Sequence, residues 1–432
     1  MTTFPTGFLW GAATAAHQIE GNNVNSDFWA NEGRLPGMER SGDACDSFNR
    51  YPEDMRLLAE NGYNSYRFSI EWARIEPARG LYSKVMLDHY RAMIDQALEL
   101  GLTPVVTLHH FTNPAWFAQV GGWLADDAVE TFCRYVEKVC TILDGVEWVV
   151  TMNEPNMLAV MTGMQRMFAA QAAQAASGQG QRSGNDDAAA STVVEDPEVE
   201  LVPREEEAWQ SPTVDEERKK FRMPTPEVDI GKRFVEAHVA ARAVVRAHTK
   251  AKVGWTVANR AFEVLPGGEE KAKALSYVWE DLYLEPSRDD DFVGVQCYTV
   301  QGVDADGLVP HPDHPDNTLV GTAFRPDAIG VAVRHTAEVT GGTPIMVTEN
   351  GIATARDEQR VEYIDRALGH LAACISDGIK VTGYQHWSLL DNFEWGHWKP
   401  TFGLVAVDRE TFERRPKPSL AHLGVIAKRN AI

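Results

Sequence analysis

A chain of 432 residues, 44% of them hydrophobic, can fill one large core or several average ones, and length alone does not choose between them. Its 62 acidic against 41 basic residues give a formal charge of −21, which repels a polyanion and argues against nucleic acid as a partner. Cys45, Cys133, Cys140, Cys297 and Cys374 are odd in number, scattered and without a Cys-x-x-Cys pair, so a disulfide framework or zinc site is disfavoured. No Lys or Arg precedes Arg34, so the apolar run of residues 8–16 lacks the charged start of a signal peptide. No uninterrupted apolar stretch reaches membrane-spanning length. We therefore expect a soluble, cytoplasmic protein with no membrane partner.

Along the chain, short apolar runs alternate with helical patterns eight times, the signature of repeated βα units and of an α/β fold. Strands are expected at residues 8–13, 65–70, 104–108, 148–152, 253–257, 292–296, 344–348 and 381–385. Helices are expected at 52–61, 84–100, 126–143, 229–248, 269–284, 327–339, 357–375 and 418–429. The first opens with Pro52 and the acidic pair Glu53-Asp54 and closes at Gly62, which is helix start and stop chemistry. Gly101 and Gly378 follow the second and seventh helices in the same way.

The rhythm breaks once, over residues 169–228, after the fourth strand. Residues 169–176 are all Ala or Gln and are expected to form a short helix. A Ser/Gly/Gln/Asn-rich run follows, and residues 186–229 carry fourteen acidic against five basic side chains. That composition describes a solvated, mobile surface excursion, expected for residues 177–217. An insertion after a barrel strand also emerges on the active face, which leaves a lid or partner-binding element open. The whole of residues 1–432 is expected to be a single domain carrying this insertion.

The fourth and seventh strands each end in a glutamate, in Thr151-Met152-Asn153-Glu154-Pro155 and Val347-Thr348-Glu349-Asn350-Gly351. At the C-terminal ends of parallel barrel strands such residues read as catalytic, because the loops there form the active face. A facing carboxyl pair is the machinery of glycoside hydrolysis: one protonates the leaving oxygen, and the other attacks the anomeric carbon or activates water. Either glutamate could instead cap the helix after its strand. Other strand ends add polar groups, namely Gln18 after the first, Arg67 in the second, His109 and His110 after the third, Tyr298 after the sixth and Trp387 at the eighth. Singly, Gln18 could be a loop amide, Arg67 an ion-pair member, His110 a core histidine and Trp387 packing. Gathered at one rim with two glutamates, they describe a polar pocket.

An acid at Glu154 needs apolar or negative surroundings that raise its pKa. Glu349 must stay ionised, and Arg67 with the Tyr298 hydroxyl are the candidates to hold it so. Asn153 can donate to a sugar 2-hydroxyl, where hydrogen bonds strengthen in the transition state. His109-His110 has no ligand spacing with a carboxylate, so neither a metal nor another cofactor is expected.

Phe8-Leu9-Trp10-Gly11-Ala12-Ala13-Thr14 with His17-Gln18-Ile19-Glu20-Gly21, the two glutamate segments, and His386-Trp387-Ser388-Leu389-Leu390-Asp391-Asn392-Phe393-Glu394-Trp395 together closely resemble glycoside hydrolase family 1, the β-glucosidase family. The resemblance implies a (β/α)8 TIM barrel and retention of configuration by double displacement, with Glu154 as acid/base and Glu349 as nucleophile. It further implies that Gln18, His110, Asn153, Trp387, Glu394 and Trp395 line the site for the non-reducing sugar, while Arg67 and Tyr298 hold the nucleophile. Glu394, accepting from the 4- and 6-hydroxyls, would repel a 6-phosphate. The implied substrate is therefore an unphosphorylated β-D-glucoside, with β-galactosides or β-fucosides as side substrates. Two positions depart from the pattern: Gln296-Cys297-Tyr298 stands where Asn-Tyr-Tyr is usual, and Phe111 where Trp is common. The rival readings are a 6-phospho-β-glycosidase, a transglycosylase on the same glutamates, and a non-hydrolytic carbohydrate-binding protein, since a fold alone does not establish activity.

Overall fold

The computed structural model of the chain describes residues 2–33, 37–179 and 224–432. Eight strands form the barrel: β1 (Leu9–Ala13), β2 (Ser65–Ser69), β3 (Thr103–Thr107), β4 (Trp148–Asn153), β5 (Lys252–Ala258), β6 (Val293–Gln296), β7 (Ile345–Asn350) and β8 (Val381–Trp387). Each runs parallel to its neighbours in chain order, and β8 pairs with β1, Leu9 opposite Gly383 and Ala13 opposite Trp387, to close the ring. Their residues are almost all buried, as a parallel sheet covered on both faces requires.

Leu9, Val105, Trp148, Val150, Phe292 and Met346 form one apolar cluster, drawn largely from the first halves of their strands. The barrel is a packed core at that end, and its polar groups collect at the other. Closure depends on a small residue in β1. A Cβ at Gly11 would lie 2.0 Å from the Gln385 side-chain oxygen and 2.6 Å from the Ser65 carbonyl, so this position must be bare.

The outer helices Lys84–Glu99, Ala128–Cys140, Val228–His248, Ala328–Thr340, Asp357–Ser376 and Pro418–Arg429 follow the expected periodicity closely. Three segments differ. The first long helix begins at Ser47, so Pro52 lies inside it rather than at its start. A proline there removes one intrahelical bond. The early start is fixed by tertiary contacts, with Ser47 Oγ donating to Asp54 Oδ2 at 2.8 Å and Arg414 Nε donating to Asp54 Oδ1 at 2.8 Å.

The expected helix at 269–284 passes from Glu269–Ser276 into a π-helical turn, Tyr277–Asp281, before Leu282–Leu284. The wider turn accompanies a buried carboxylate, Glu280, which accepts from Asn259 Nδ2 at 2.9 Å and from the Arg260 backbone N–H at 2.8 Å. Residues 169–176 form no separate helix. They continue the helix Pro155–Gln179.

Contacts group Met1–Thr162 with Thr225–Ile432 into one compact unit and Gly163–Pro224 into a second, which is helical as far as Gln179. The acidic tract falls within residues 180–223, outside the described residues. Among the described residues no helix is long and apolar enough to cross a membrane.

Candidate active site

Both glutamates sit where strand pairing is interrupted. The β4–β5 register shifts between Val150 and Asn153, and the β6–β7 register shifts between Val347 and Glu349. Irregularities of this kind re-aim side chains at a barrel rim. Glu154 follows directly, with φ +47°, a left-handed conformation that costs a non-glycine residue energy and persists only when surroundings enforce it. Its N–H donates to the Thr256 carbonyl at 2.8 Å and its carbonyl accepts from Leu158 N–H at 3.0 Å, tying the turn to β5 and to the following helix. Among the described residues no donor reaches the Glu154 carboxylate, so its side chain does not cap that helix.

Glu349 has a different environment. Arg67 Nη1 donates to Oε1 at 2.5 Å, Gln296 Nε2 to the same oxygen at 2.8 Å, and the Tyr298 hydroxyl to Oε2 at 2.5 Å. Arg67 is itself anchored by Thr107 Oγ1 and, through Nη2, by Asn153 Oδ1 at 2.5 Å. Gln296 also donates to Asn153 Oδ1 at 2.8 Å. The longer amide at position 296 therefore makes two strong contacts at the centre of the site.

These surroundings separate two chemically identical groups. Burial first, and then the negative charge of Glu349, push the Glu154 carboxyl up to about 8, against the pull of Arg260 and Arg67. Burial also pushes Glu349 up, but Arg67, Tyr298 and Gln296 all favour its charge. With donors on one carboxylate and none on the other, the surroundings favour the charge on Glu349 and the proton on Glu154.

A cavity of about 370 Å³ opens beside the pair, lined by both glutamates with His110, Asn153, Trp387, Glu394 and Trp395. Gln18 stands behind it, its Nε2 donating to Asn392 Oδ1 and the Phe393 carbonyl at 2.9 Å each and to Glu394 Oε2 at 3.3 Å. Trp387 Nε1 donates to Glu394 Oε1 at 3.2 Å. Burial pushes Glu394 up to about 8 despite the Trp387 bond. His110 stacks at 6.0 Å on both Trp387 and Trp395, and Phe111 meets Trp395 edge-on at 4.9 Å, so the aromatic wall is intact without an indole at position 111. Burial holds the His110 imidazole neutral. Among the described residues Gln18 Oε1, His110 Nδ1 and Asn153 Nδ2 are buried without a partner. Acceptors and donors left open around a cavity of this size suit a polyhydroxylated ligand.

The structure thus brings Gln18, Arg67, His110, Asn153, Glu154, Tyr298, Glu349, Trp387, Glu394 and Trp395 to one rim. Sequence reasoning missed the end of β5. There Asn259 and Arg260 reach the same rim, and the Arg260 guanidinium lies 3.9 Å over Trp279. A scan of every strand end for polar residues would have found both. A larger cleft of about 830 Å³ lies at the other end of β4, between Thr141, Glu147 and Lys252, and none of these residues line it.

Comparison with known proteins agrees with this geometry. Residues 1–187 and 298–432 match the sequence profile of glycosyl hydrolase family 1. Beta-glucosidase A of Thermotoga maritima is 28% identical over 99% of this chain and 98% of its own length. Beta-glucosidase 1B of Phanerodontia chrysosporium is 30% identical over 96% and 84%. Among solved structures, the apo form of a beta-glucosidase designated 1317 superposes with a TM-score of 0.81 at 38% identity, over 99% of each chain. The Thermotoga maritima beta-glucosidase in complex with glucoimidazole gives 0.78 at 25% identity, over 100% of each.

Proposed function

Because the chain belongs to glycosyl hydrolase family 1 and is a glycoside hydrolase, we propose that it is a retaining β-glucosidase with Glu154 as acid/base and Glu349 as nucleophile. The observation that carries this reading is the unequal treatment of the two carboxylates. Glu349 receives donors from Arg67, Gln296 and Tyr298, while half-buried Glu154 receives none among the described residues.

The sugar occupies the cavity beside Trp387 and Trp395. Glu154 gives its proton to the glycosidic oxygen as Glu349 attacks the anomeric carbon, and the leaving group departs as an alcohol. Ester formation removes the Glu349 charge, one of the causes that held the Glu154 pKa up, so Glu154, having given up its proton, stays ionised and is available as the base when it must deprotonate water. That water attacks the ester from the face the leaving group vacated, and the product keeps the β configuration.

Asn153 Nδ2 donates to the 2-hydroxyl. Gln18 Oε1 and Glu394 take the hydroxyls at the far edge of the ring, where they admit either epimer at C4 and so allow β-galactosides or β-fucosides as side substrates. A 6-phosphate beside Glu394 is disfavoured by desolvation of its charge and, where Glu394 is ionised, by repulsion. All five cysteines are free, which supports a reducing, cytoplasmic setting.

Replacing Glu154→Ala is expected to lower turnover of glycosides with poor leaving groups roughly 10²-fold to 10⁴-fold. Added azide is expected to restore turnover of activated aryl glucosides and to yield the β-glucosyl azide. Absence of rescue, or rescue that yields the α-glucosyl azide, contradicts the assignment.

A further inference from the structure

Among the donors to Glu349, Arg67 belongs to β2 and Gln296 to β6, whereas Tyr298 lies beyond the last residue of β6. Ladder pairing does not hold its backbone, yet its hydroxyl has to stay within hydrogen-bond distance of one carboxylate oxygen. A small displacement of such a group has a large effect on the chemistry it supports.

The backbone around Tyr298 is tied instead to the end of β7 and to an outer helix. Cys297 N–H donates to the Glu349 carbonyl at 3.3 Å, and the Cys297 carbonyl accepts from Asn350 Nδ2 at 2.6 Å. The next carbonyl, that of Tyr298 itself, accepts from the Tyr363 hydroxyl at 3.0 Å. Tyr363 stands on the helix Asp357–Ser376, is 1% exposed, and accepts from Asn350 Nδ2 at 3.1 Å. The Asn350 amide is fixed in this orientation, because its Oδ1 accepts from the Tyr384 hydroxyl at 3.0 Å. With Asn350 as its donor, the Tyr363 oxygen has one proton to give, and that proton goes to the Tyr298 carbonyl. Burial pushes the Tyr363 phenol up, so the proton stays in place. Neither Asn350 nor Tyr363 lines the cavity beside the two glutamates.

We propose that Tyr363 is a positioning residue for the reaction: together with Asn350 it fixes the Tyr298 backbone so that the Tyr298 hydroxyl meets Glu349. This rests on the reading of Glu349 as nucleophile. Thr299 Oγ1 donates to the Ala323 carbonyl at 3.0 Å and restrains the far side of the same turn, so loss of the Tyr363 hydroxyl loosens Tyr298 without releasing it.

The test is the pH dependence of kcat/KM for p-nitrophenyl β-glucoside in wild type, Tyr363→Phe, Tyr298→Phe and the double variant. Tyr363→Phe keeps the ring that meets Phe324 edge-on at 5.7 Å. It also leaves in place the charged and titratable groups that face Glu349 among the described residues: Arg67 from β2, Glu154 after β4, Tyr298 after β6 and Glu394 after β8. In Tyr363→Phe the acidic limb is expected to move up by about half a pH unit and kcat to fall about tenfold. In the Tyr298→Phe background the same change is expected to leave both within about twofold, since Tyr363 then has no hydroxyl to position. A purely structural loss would lower the thermal midpoint, leave the limb where it is and multiply with Tyr298→Phe. An unmoved limb or multiplying effects therefore overturn the inference. Asn350→Ala breaks the same link from the β7 side and is expected to give the same shift and the same non-additivity, so the outcome does not depend on one variant folding. A wild type that hydrolyses no β-glucoside would instead refute the β-glucosidase reading, so the two failures are distinguishable.

Discussion

Glu154 and Glu349 differ only in what surrounds them, and that difference has a pH signature. On the proposed mechanism Glu349 must be ionised to attack, so activity is expected to be lost as pH falls through its pKa. On the same mechanism Glu154 must be protonated, so activity is expected to be lost as pH rises through its own, near 8. Because the two charges interact, the limbs of the profile belong to the pair. In Tyr298→Phe, Glu349 loses a donor at 2.5 Å, its pKa rises, and the acidic limb of kcat/KM is expected to move to higher pH. The basic limb is expected to stay in place, while kcat falls roughly 10²-fold to 10³-fold. An acidic limb that stays put or moves down would show that the hydroxyl does not support the charge. Asn153, Glu154 and Glu349 were legible in the sequence because they close apolar strand runs, whereas Glu394 and Trp395, beyond the end of β8, were named only through the family resemblance. The bonds of Gln296 were not legible, since an extra methylene changes reach in a way that only the positions of Asn153 and Glu349 decide.

At the scale of elements, strand and helix positions followed from apolar periodicity and helix-ending glycines. The bulges that aim Asn153 and Glu349 left no mark in the sequence, because a register shift belongs to two paired strands and not to either alone. The start of the helix Ser47–Asn61 was hidden for a similar reason: it is set by Arg414, hundreds of residues away. Burial pushes the Asp54 carboxyl up even with Arg414 against it, while Asp54 raises Arg414 in turn, so burial and pairing oppose one another in this pair. Removing one partner is another matter. Asp54→Ala strands a buried guanidinium and is expected to cost about 3–5 kcal/mol in urea unfolding, whereas Asp54→Leu combined with Arg414→Met is expected to recover most of that loss. Equal destabilisation in the single and double variants would contradict this account.

At the scale of the molecule, eight alternations of strand and helix pointed to repeated βα units and the family resemblance to a closed ring, and a closed ring is what brings residues 154 and 349 to one rim. The space inside the ring was not legible. Gly11 reads as an ordinary small residue until β8 and β2 are placed beside it. Gly11→Val inserts atoms where Gln385 and the Ser65 backbone already lie, and is expected to lower the thermal midpoint and the soluble yield. A variant with wild-type stability would mean that β1 can shift without opening the barrel. Glu349 depends on that closure too, since its Arg67 partner comes from β2, across β1 and β8 from β7.

The most direct measurement uses a 2-deoxy-2-fluoro-β-glucoside with an activated leaving group. The fluorine slows both steps, and the good leaving group lets the first outrun the second, so the glycosyl-enzyme accumulates. Peptide mass analysis is expected to find one sugar per chain, esterified to Glu349, with inactivation and labelling proceeding at the same rate. A label on any other side chain, or an active enzyme that never acquires one, would contradict the assignment of Glu349 as nucleophile.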